Sequence, residues 1–369
     1  MTPKTRRYDL DWLRVIAILA VYFHHIGMPF NGDDFHIMNT ESSKLLDDIM
    51  VFFEQFRLPL LFLISGTGTI FAFSKRTWIQ FTRERAIRLL IPLFFGVLFI
   101  VPPQTFFDRE TTYTSYWEIY TNADFDVNHL WFIENLFWMS LSLIPFILFL
   151  RSSKSTRFLH YFERLTAKKL GLFSLAIPLI VILIISKKYF PSDSKSLFNL
   201  SSTLYFNFFF MLGMLFASAE TTWLHLKQYR KLNTILCILS SIIFYVYYLM
   251  PHSLLLPYFS TAFLWNLWYV VCGLVGWSFV ISLLGYAQIW FNRKSTLLKK
   301  LNEAIYPFYI LHQTVIIVFG YYIIQLDVNI PIKIILLLIT SFPVIVLIYR
   351  FLIYPFKMTR VLFGMKSKN

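Results

Sequence analysis

Charge, glycine and cysteine are all scarce in this chain of 369 residues: charged residues make up 15%, Gly numbers 12 and Cys 2. So little charge excludes the water-facing surface of an ordinary soluble protein. Few glycines leave helix contacts to large side chains more than to glycine seams. Cys237 and Cys272 both fall within apolar stretches, a setting for core residues and not for a disulfide or metal pair. Segments of about ten residues with alternating polarity are missing, which excludes a porin-like barrel. No nucleotide-binding loop, zinc-ligand spacing or nucleophile elbow is present. SGTGT, Ser65 to Thr69, holds its two glycines inside an apolar run, where close packing accounts for them better than phosphate binding does. No repeat of fixed period is visible and the halves show no relation, which argues against a transporter built from inverted repeats.

What the chain has in quantity is apolar surface in long runs. Hydrophobic residues reach 57%, Phe alone numbers 41, and the mean hydropathy is +0.59. The runs last about twenty residues, the length of a transmembrane helix. The pattern predicts an all-α, polytopic membrane bundle of about ten transmembrane helices, over 12–30, 49–73, 89–107, 129–150, 171–187, 203–219, 232–250, 261–284, 304–325 and 332–354. KTRR ahead of the first run resembles a secretory signal, but Arg14, His24 and His25 interrupt the run and no cleavage pattern follows, so a retained first helix is expected. The connections are too short to hold a soluble domain, and residues 1–369 are expected to form a single membrane domain.

The formal net charge of +14 invites a nucleic-acid reading that its distribution removes. Of the 34 Lys and Arg, 25 lie in alternate connections and the two ends, including Lys4, Lys75 to Arg88, Arg151 to Lys169 and Lys357 to Lys368. Only six lie in the other set, which holds twelve of the 20 acids. By the positive-inside rule both termini are expected in the cytoplasm, with the basic faces on anionic lipid and no nucleic-acid partner.

Ionisable residues inside the spans are few, and each is a functional candidate because its burial in hydrocarbon is costly. The first span holds Asp11, Arg14, His24 and His25. Eleven helical steps bring Arg14 and His25 to within about 20° of one another, about 16 Å apart along the axis, with Asp11 near the same stripe. His24 points about 100° away, as a hydrogen-bonded core residue would. Glu54 and Arg57 lie one turn apart in the second span, where they either neutralise each other or serve catalysis. Glu54 is expected near the depth of His25, and a carboxylate there would fix the tautomer of a general base. Arg85 and Arg88, at i and i+3 before the third span, have a geometry suited to phosphate, although juxtamembrane arginines are ordinarily lipid anchors. His129, Glu134, Tyr309 and His312, with Arg57, form a second polar set for which interhelical hydrogen bonding is the plain alternative.

These segments together, DLDWLRVIAILAVYFHHIGMPF, RLPLLFLISGTGT, RERAIRLLIPLFFGVLFIVPPQTFFD, HLWFIENLF and YPFYILHQT, resemble the bacterial acyltransferase-3 family of integral membrane O-acyltransferases, and within it a glucan-biosynthesis branch. The family's basic residue and histidine separated by ten positions match Arg14 and His25, and its Arg-x-x-Arg pattern matches Arg85 and Arg88. The resemblance implies transfer of an acetyl, succinyl or similar group from cytoplasmic acyl-CoA to a hydroxyl of a cell-envelope carbohydrate, extracytoplasmic or lipid-linked. It implies a multi-pass protein of the bacterial cytoplasmic (inner) membrane, with acyl-CoA as donor substrate and no bound cofactor or metal. In that scheme His25 is the general base or the site of a covalent acyl-histidine. Glu54 or Asp11 orients it, Arg14 lines the donor path, and Arg85 and Arg88 hold the CoA phosphates. A reading from another class is a transporter or flippase of a small envelope precursor, its buried charges binding substrate or protons.

Overall fold

The computed structural model describes residues 6–366 apart from 75, and within them the secondary structure is helical, without a strand. Lys4, Lys75 and Lys368, which enter the charge count above, lie outside the described residues. Besides shorter turns, the helices in chain order are α1 (Tyr8–Asn31), α2 (Lys44–Phe73), α3 (Trp78–Phe106), α4 (Asn128–Ser142), α5 (Ile144–Arg151), α6 (Thr156–Ala167), α7 (Ala176–Tyr189), α8 (Leu200–Ser218), α9 (Thr221–Gln228), α10 (Arg230–Leu249), α11 (Thr261–Trp290), α12 (Thr296–Ile323), α13 (Ile330–Ile353) and α14 (Lys357–Leu362).

Among the described residues, α1, α2, α3, α8, α10, α11, α12 and α13 are each long and apolar enough to cross a membrane, and α4 with α5, bent by 50°, makes a ninth candidate span. The chain is therefore a multi-pass helical membrane protein. The tenth expected span, 171–187, falls on α7, whose 14 residues are fewer than those of the other spans. Several helices start well before their apolar run does. α12 begins at Thr296 because Ser295 caps it, its hydroxyl accepting from the Leu298 amide; Ser260 and Asn329 cap α11 and α13 in the same way.

Prolines shape the helices that carry polar residues. A proline cannot donate to the carbonyl four positions before it, and in hydrocarbon an orphaned carbonyl must find another donor. At three such places a tyrosine hydroxyl supplies the bond. Pro59 frees the Gln55 carbonyl, which Tyr205 meets at 3.5 Å; Pro92 frees that of Arg88, which Tyr306 meets at 3.3 Å; Pro102 frees that of Leu98, which Tyr120 meets at 2.9 Å. Around Pro92, α3 widens into π turns at Ala86–Leu90 and Gly96–Ile100.

The chain divides into two compact units, one of residues 1–14, 55–78 and 139–294, the other of 15–54, 79–138 and 295–369. The core of the first gathers Trp277, Phe209, Phe210 and Phe216, all fully buried, with the Trp277 indole donating to the Leu172 carbonyl at 2.7 Å. Here Gly66 of SGTGT lies directly on the Phe210 backbone of α8, and Gly213 of α8 on that of Leu63. The Thr67 hydroxyl closes the seam on the Gly213 carbonyl at 3.0 Å. SGTGT is thus a packing site, and glycine-poor though the chain is, this seam is a place where only glycine fits. Cys237 and Cys272 are buried, and neither is in a disulfide. In the second unit Tyr22 of α1 bonds Ser341 of α13 at 2.8 Å, and buried Lys333 ties Asn39 to the end of α12.

Candidate active site

The second unit brings three of the expected histidines together. His25 of α1 stacks on His312 of α12 with ring centroids 4.9 Å apart, and Nδ1 of His25 lies 2.7 Å from Nε2 of His312. Nδ1 of His312 in turn lies 2.5 Å from the Tyr309 carbonyl, three residues back on the same helix. A carbonyl oxygen only accepts, so Nδ1 of His312 carries the hydrogen. In the neutral ring the lone pair is then on Nε2, and the hydrogen between the two imidazoles belongs to Nδ1 of His25. This assignment from the partners leaves the lone pair of His25 on Nε2, the nitrogen a general base would use.

His129, at the start of α4, packs edge-on against His312 with centroids 5.4 Å apart. Its backbone carbonyl accepts from the Tyr309 hydroxyl, and its Nε2 donates to the Ile310 carbonyl at 3.0 Å. Nδ1 of His129 therefore accepts, from the Gln104 amide at 3.2 Å. The same amide donates to Thr314 at 2.6 Å, and Gln313 donates to Gln104 at 3.1 Å and to Asn128 at 2.8 Å. Asn128 donates onward to Nε2 of His36 at 2.9 Å, and Nδ1 of His36 meets Asp108 at 2.5 Å. Asn128 holds the left-handed conformation, φ 44°, which asparagine tolerates better than most residues. The outcome is one connected set of satisfied polar groups bracing the turn of α12 that carries His312.

Two expected partnerships differ from the structure. Glu54 Oε1 lies 3.3 Å from Nε2 of His24, the neighbouring histidine, while Nδ1 of His25 lies 2.7 Å from the imidazole of His312. Consecutive residues of a helix diverge by about 100°, and the face of α1 that meets α2 is the one bearing His24. Asp11 does not orient His25 either: it accepts from Arg6 at 2.8 Å and pairs with Arg14 at 3.6 Å, fourteen residues earlier on an unbroken helix. Arg14 and His25 do share α1. Arg57, 4% exposed, belongs to the part of α2 in the other unit. Glu134 is half-buried and takes no part in the hydrogen bonds of the histidine cluster.

Arg85 and Arg88 stand at the start of α3. Arg85 lies over the Phe81 ring at 5.0 Å, and Arg88, inside the first π turn, pairs with Glu84 at 3.1 Å. Both guanidinium groups keep partial exposure, so an anion can reach them.

The family model of the acyltransferase domain matches residues 7–350, the stretch that holds Arg14, His25, Arg85, Arg88 and His312. The chain belongs to the acyltransferase-3 family. Proteins named glucans biosynthesis protein C, from Escherichia coli (strain K12) and from Shigella dysenteriae serotype 1 (strain Sd197), are each 23% identical to it over 349 residues, covering 87% of this chain and 85% of the relative. A third of that name, from Escherichia coli O9:H4 (strain HS), is 22% identical with the same coverage. No solved structure matches. As an acyltransferase-3 member the protein is an enzyme that transfers acyl groups. The residues that sequence reasoning missed are His36, Asp108, Asn128, Gln104 and Gln313. The signal available was the presence of amides next to the apolar runs, in PPQTFFD and LHQT.

Proposed function

We propose that the protein moves an acyl group from cytoplasmic acyl-CoA to a hydroxyl of a cell-envelope carbohydrate, with His25 as general base. The observation that carries this reading is the hydrogen-bonded run from His25 through His312 to the Tyr309 carbonyl, which assigns the lone pair of His25 to Nε2. Nε2 takes the hydroxyl proton of the acceptor as its oxygen attacks the thioester carbonyl. The tetrahedral intermediate collapses with cleavage of the C–S bond, and the departing thiolate recovers the proton from Nε2. Ester and free CoA result, and the imidazole is regenerated. Throughout, the developing imidazolium of His25 donates from Nδ1 to the neutral His312 ring, which fixes its tautomer.

Arg85 and Arg88, in the same unit as His25, hold the phosphates of CoA, and Arg14 lines the donor path on α1. The carbohydrate acceptor is suggested by the name of the relatives, and the inner membrane by their bacterial sources together with the multi-pass fold. His25→Ala tests the proposal. It is expected to fold, to keep saturable CoA binding in detergent, and to lose acyl transfer by about a thousandfold or more; near-normal turnover by the purified variant would overturn the assignment of His25.

A further inference from the structure

Beyond the residues that match the family, the chain turns back after α13 and lays α14 against the start of α3 and of α12. We propose that this arm, Lys357 to Met365, is a positioning element for Arg88, holding its guanidinium where the phosphates of the donor bind. The proposal rests on the donor role given to Arg88 above.

Arg88 occupies an unusual backbone. It lies inside the π turn Ala86–Leu90, and Pro92 cannot supply the α-helical bond to its carbonyl. The Tyr306 hydroxyl of α12 donates to that carbonyl at 3.3 Å. Gly364 of the arm closes over the same spot. Its φ of +68° ends α14, with the Gly364 amide bonded to the Val361 carbonyl at 2.9 Å and the Met365 amide to that of Arg360 at 2.8 Å. A Cβ at Gly364 would collide with the Tyr306 ring and stand 2.9 Å from the Arg88 carbonyl oxygen.

Two further contacts seat the arm at this place. Arg360, 4% exposed, donates to Glu303 at 2.6 Å, three residues before Tyr306 on the same face of α12. Arg360 also donates to the carbonyl of Lys366, the residue after the arm, at 2.9 Å, which ties the chain leaving the arm back to α14. Phe363, buried, packs edge-on against Phe95 with centroids 5.4 Å apart, three residues past Pro92 on α3. The arm thus grips α12 through Glu303 and α3 through Phe95, on either side of the Tyr306 to Arg88 bond. A guanidinium binds phosphate strongly only when its fork is already aimed, and one on a widened turn needs such support.

Binding of coenzyme A itself to the detergent-purified full chain tests this. Wild type is expected to bind saturably, and Arg88→Ala about tenfold or more weakly. Tyr306→Phe keeps the ring against Gly364 and removes only the hydroxyl, and is expected to weaken binding about fivefold. Arg360→Ala should do the same, and Arg360→Lys should restore most of the affinity by keeping a cation on Glu303. In the Arg88→Ala background neither Tyr306→Phe nor Arg360→Ala should cost anything further, a non-additivity that general destabilisation would not produce. Gly364→Ala is expected to lose affinity most; if it fails to fold, Tyr306→Phe still decides. Binding by Arg88→Ala at the wild-type level would overturn the donor role of Arg88 and the arm's role with it. Loss in Arg88→Ala with wild-type affinity in Tyr306→Phe and Arg360→Ala would leave the donor role standing and overturn that of the arm.

Discussion

At the scale of single residues, the partner of His25 sets what the proposed base can do. A carboxylate at Nδ1 would stabilise the imidazolium more strongly but would itself be a charge to bury among apolar helices. His312 offers a lone pair and no charge, and owes its own orientation to the Tyr309 carbonyl. His312→Ala is therefore expected to lower kcat about a hundredfold while leaving coenzyme A affinity near wild type. His312→Gln should recover part of the loss, since an amide oxygen also accepts from Nδ1. Initial rates of CoA release measure both; an unchanged kcat in the alanine variant would remove His312 from the mechanism. Tyr309→Phe tests the brace separately. It deletes the hydroxyl bond to His129 but keeps the carbonyl that holds His312, so about 1 kcal/mol of stability should go with little change in kcat. His25, His129, Tyr309 and His312 were all visible as ionisable or polar residues in apolar runs. Their pairing was not, because His25 and His312 stand 287 positions apart and helical depth alone does not choose between His24 and His25 as the neighbour of Glu54.

At the scale of helices, apolar run length located the eight long spans and the bent pair among the described residues, since the cost of an unbonded backbone in hydrocarbon ties length to crossing, and it also marked 171–187, where the helix is short. Run length says nothing about bends. The π turns of α3 and the 50° break between α4 and α5 follow from where Pro92 and Pro145 fall against their tertiary neighbours. Helix contact is equally local. SGTGT contains two glycines with opposite prospects: a Cβ at Gly66 would strike the Phe210 backbone, whereas one at Gly68 would have nothing within 4 Å. Gly66→Ala, and likewise Gly213→Ala against Leu63, should destabilise the protein by about 2 kcal/mol or more, read as a lower melting temperature in detergent. Gly68→Ala should be neutral or slightly stabilising, because alanine is the better helix former. Equal effects at Gly66 and Gly68 would mean that the seam is not closed as described.

At the scale of the whole molecule, orientation turns on the shortest span. Among the described residues α1 to α3, the bent pair α4 and α5, and α8 and α10 to α13 are nine candidate crossings, an odd number that would put the two ends on opposite sides. The segregation of Lys and Arg predicts the ends on one side, and that prediction needs α7 to cross as well. Its 14 residues, extended by the 3₁₀ turn Phe173–Leu175, reach about 25 Å, a few ångströms short of the hydrocarbon core and within what local thinning accommodates. If α7 did not cross, the basic connections after it would change sides and the bias would vanish. The prediction concerns four exposed positions, with the native cysteines both buried. In intact cells a membrane-impermeant thiol reagent should label Thr112→Cys and Ser194→Cys, and should reach Lys154→Cys and Lys294→Cys only after the membrane is opened. Thr112 and Ser194 test different things: the first lies before α7 and reports the overall orientation, the second lies just after it and reports whether the short helix spans. Labelling at Thr112 with protection at Ser194 would leave α7 on the inner surface, and the charge argument for two cytoplasmic ends would fail with it.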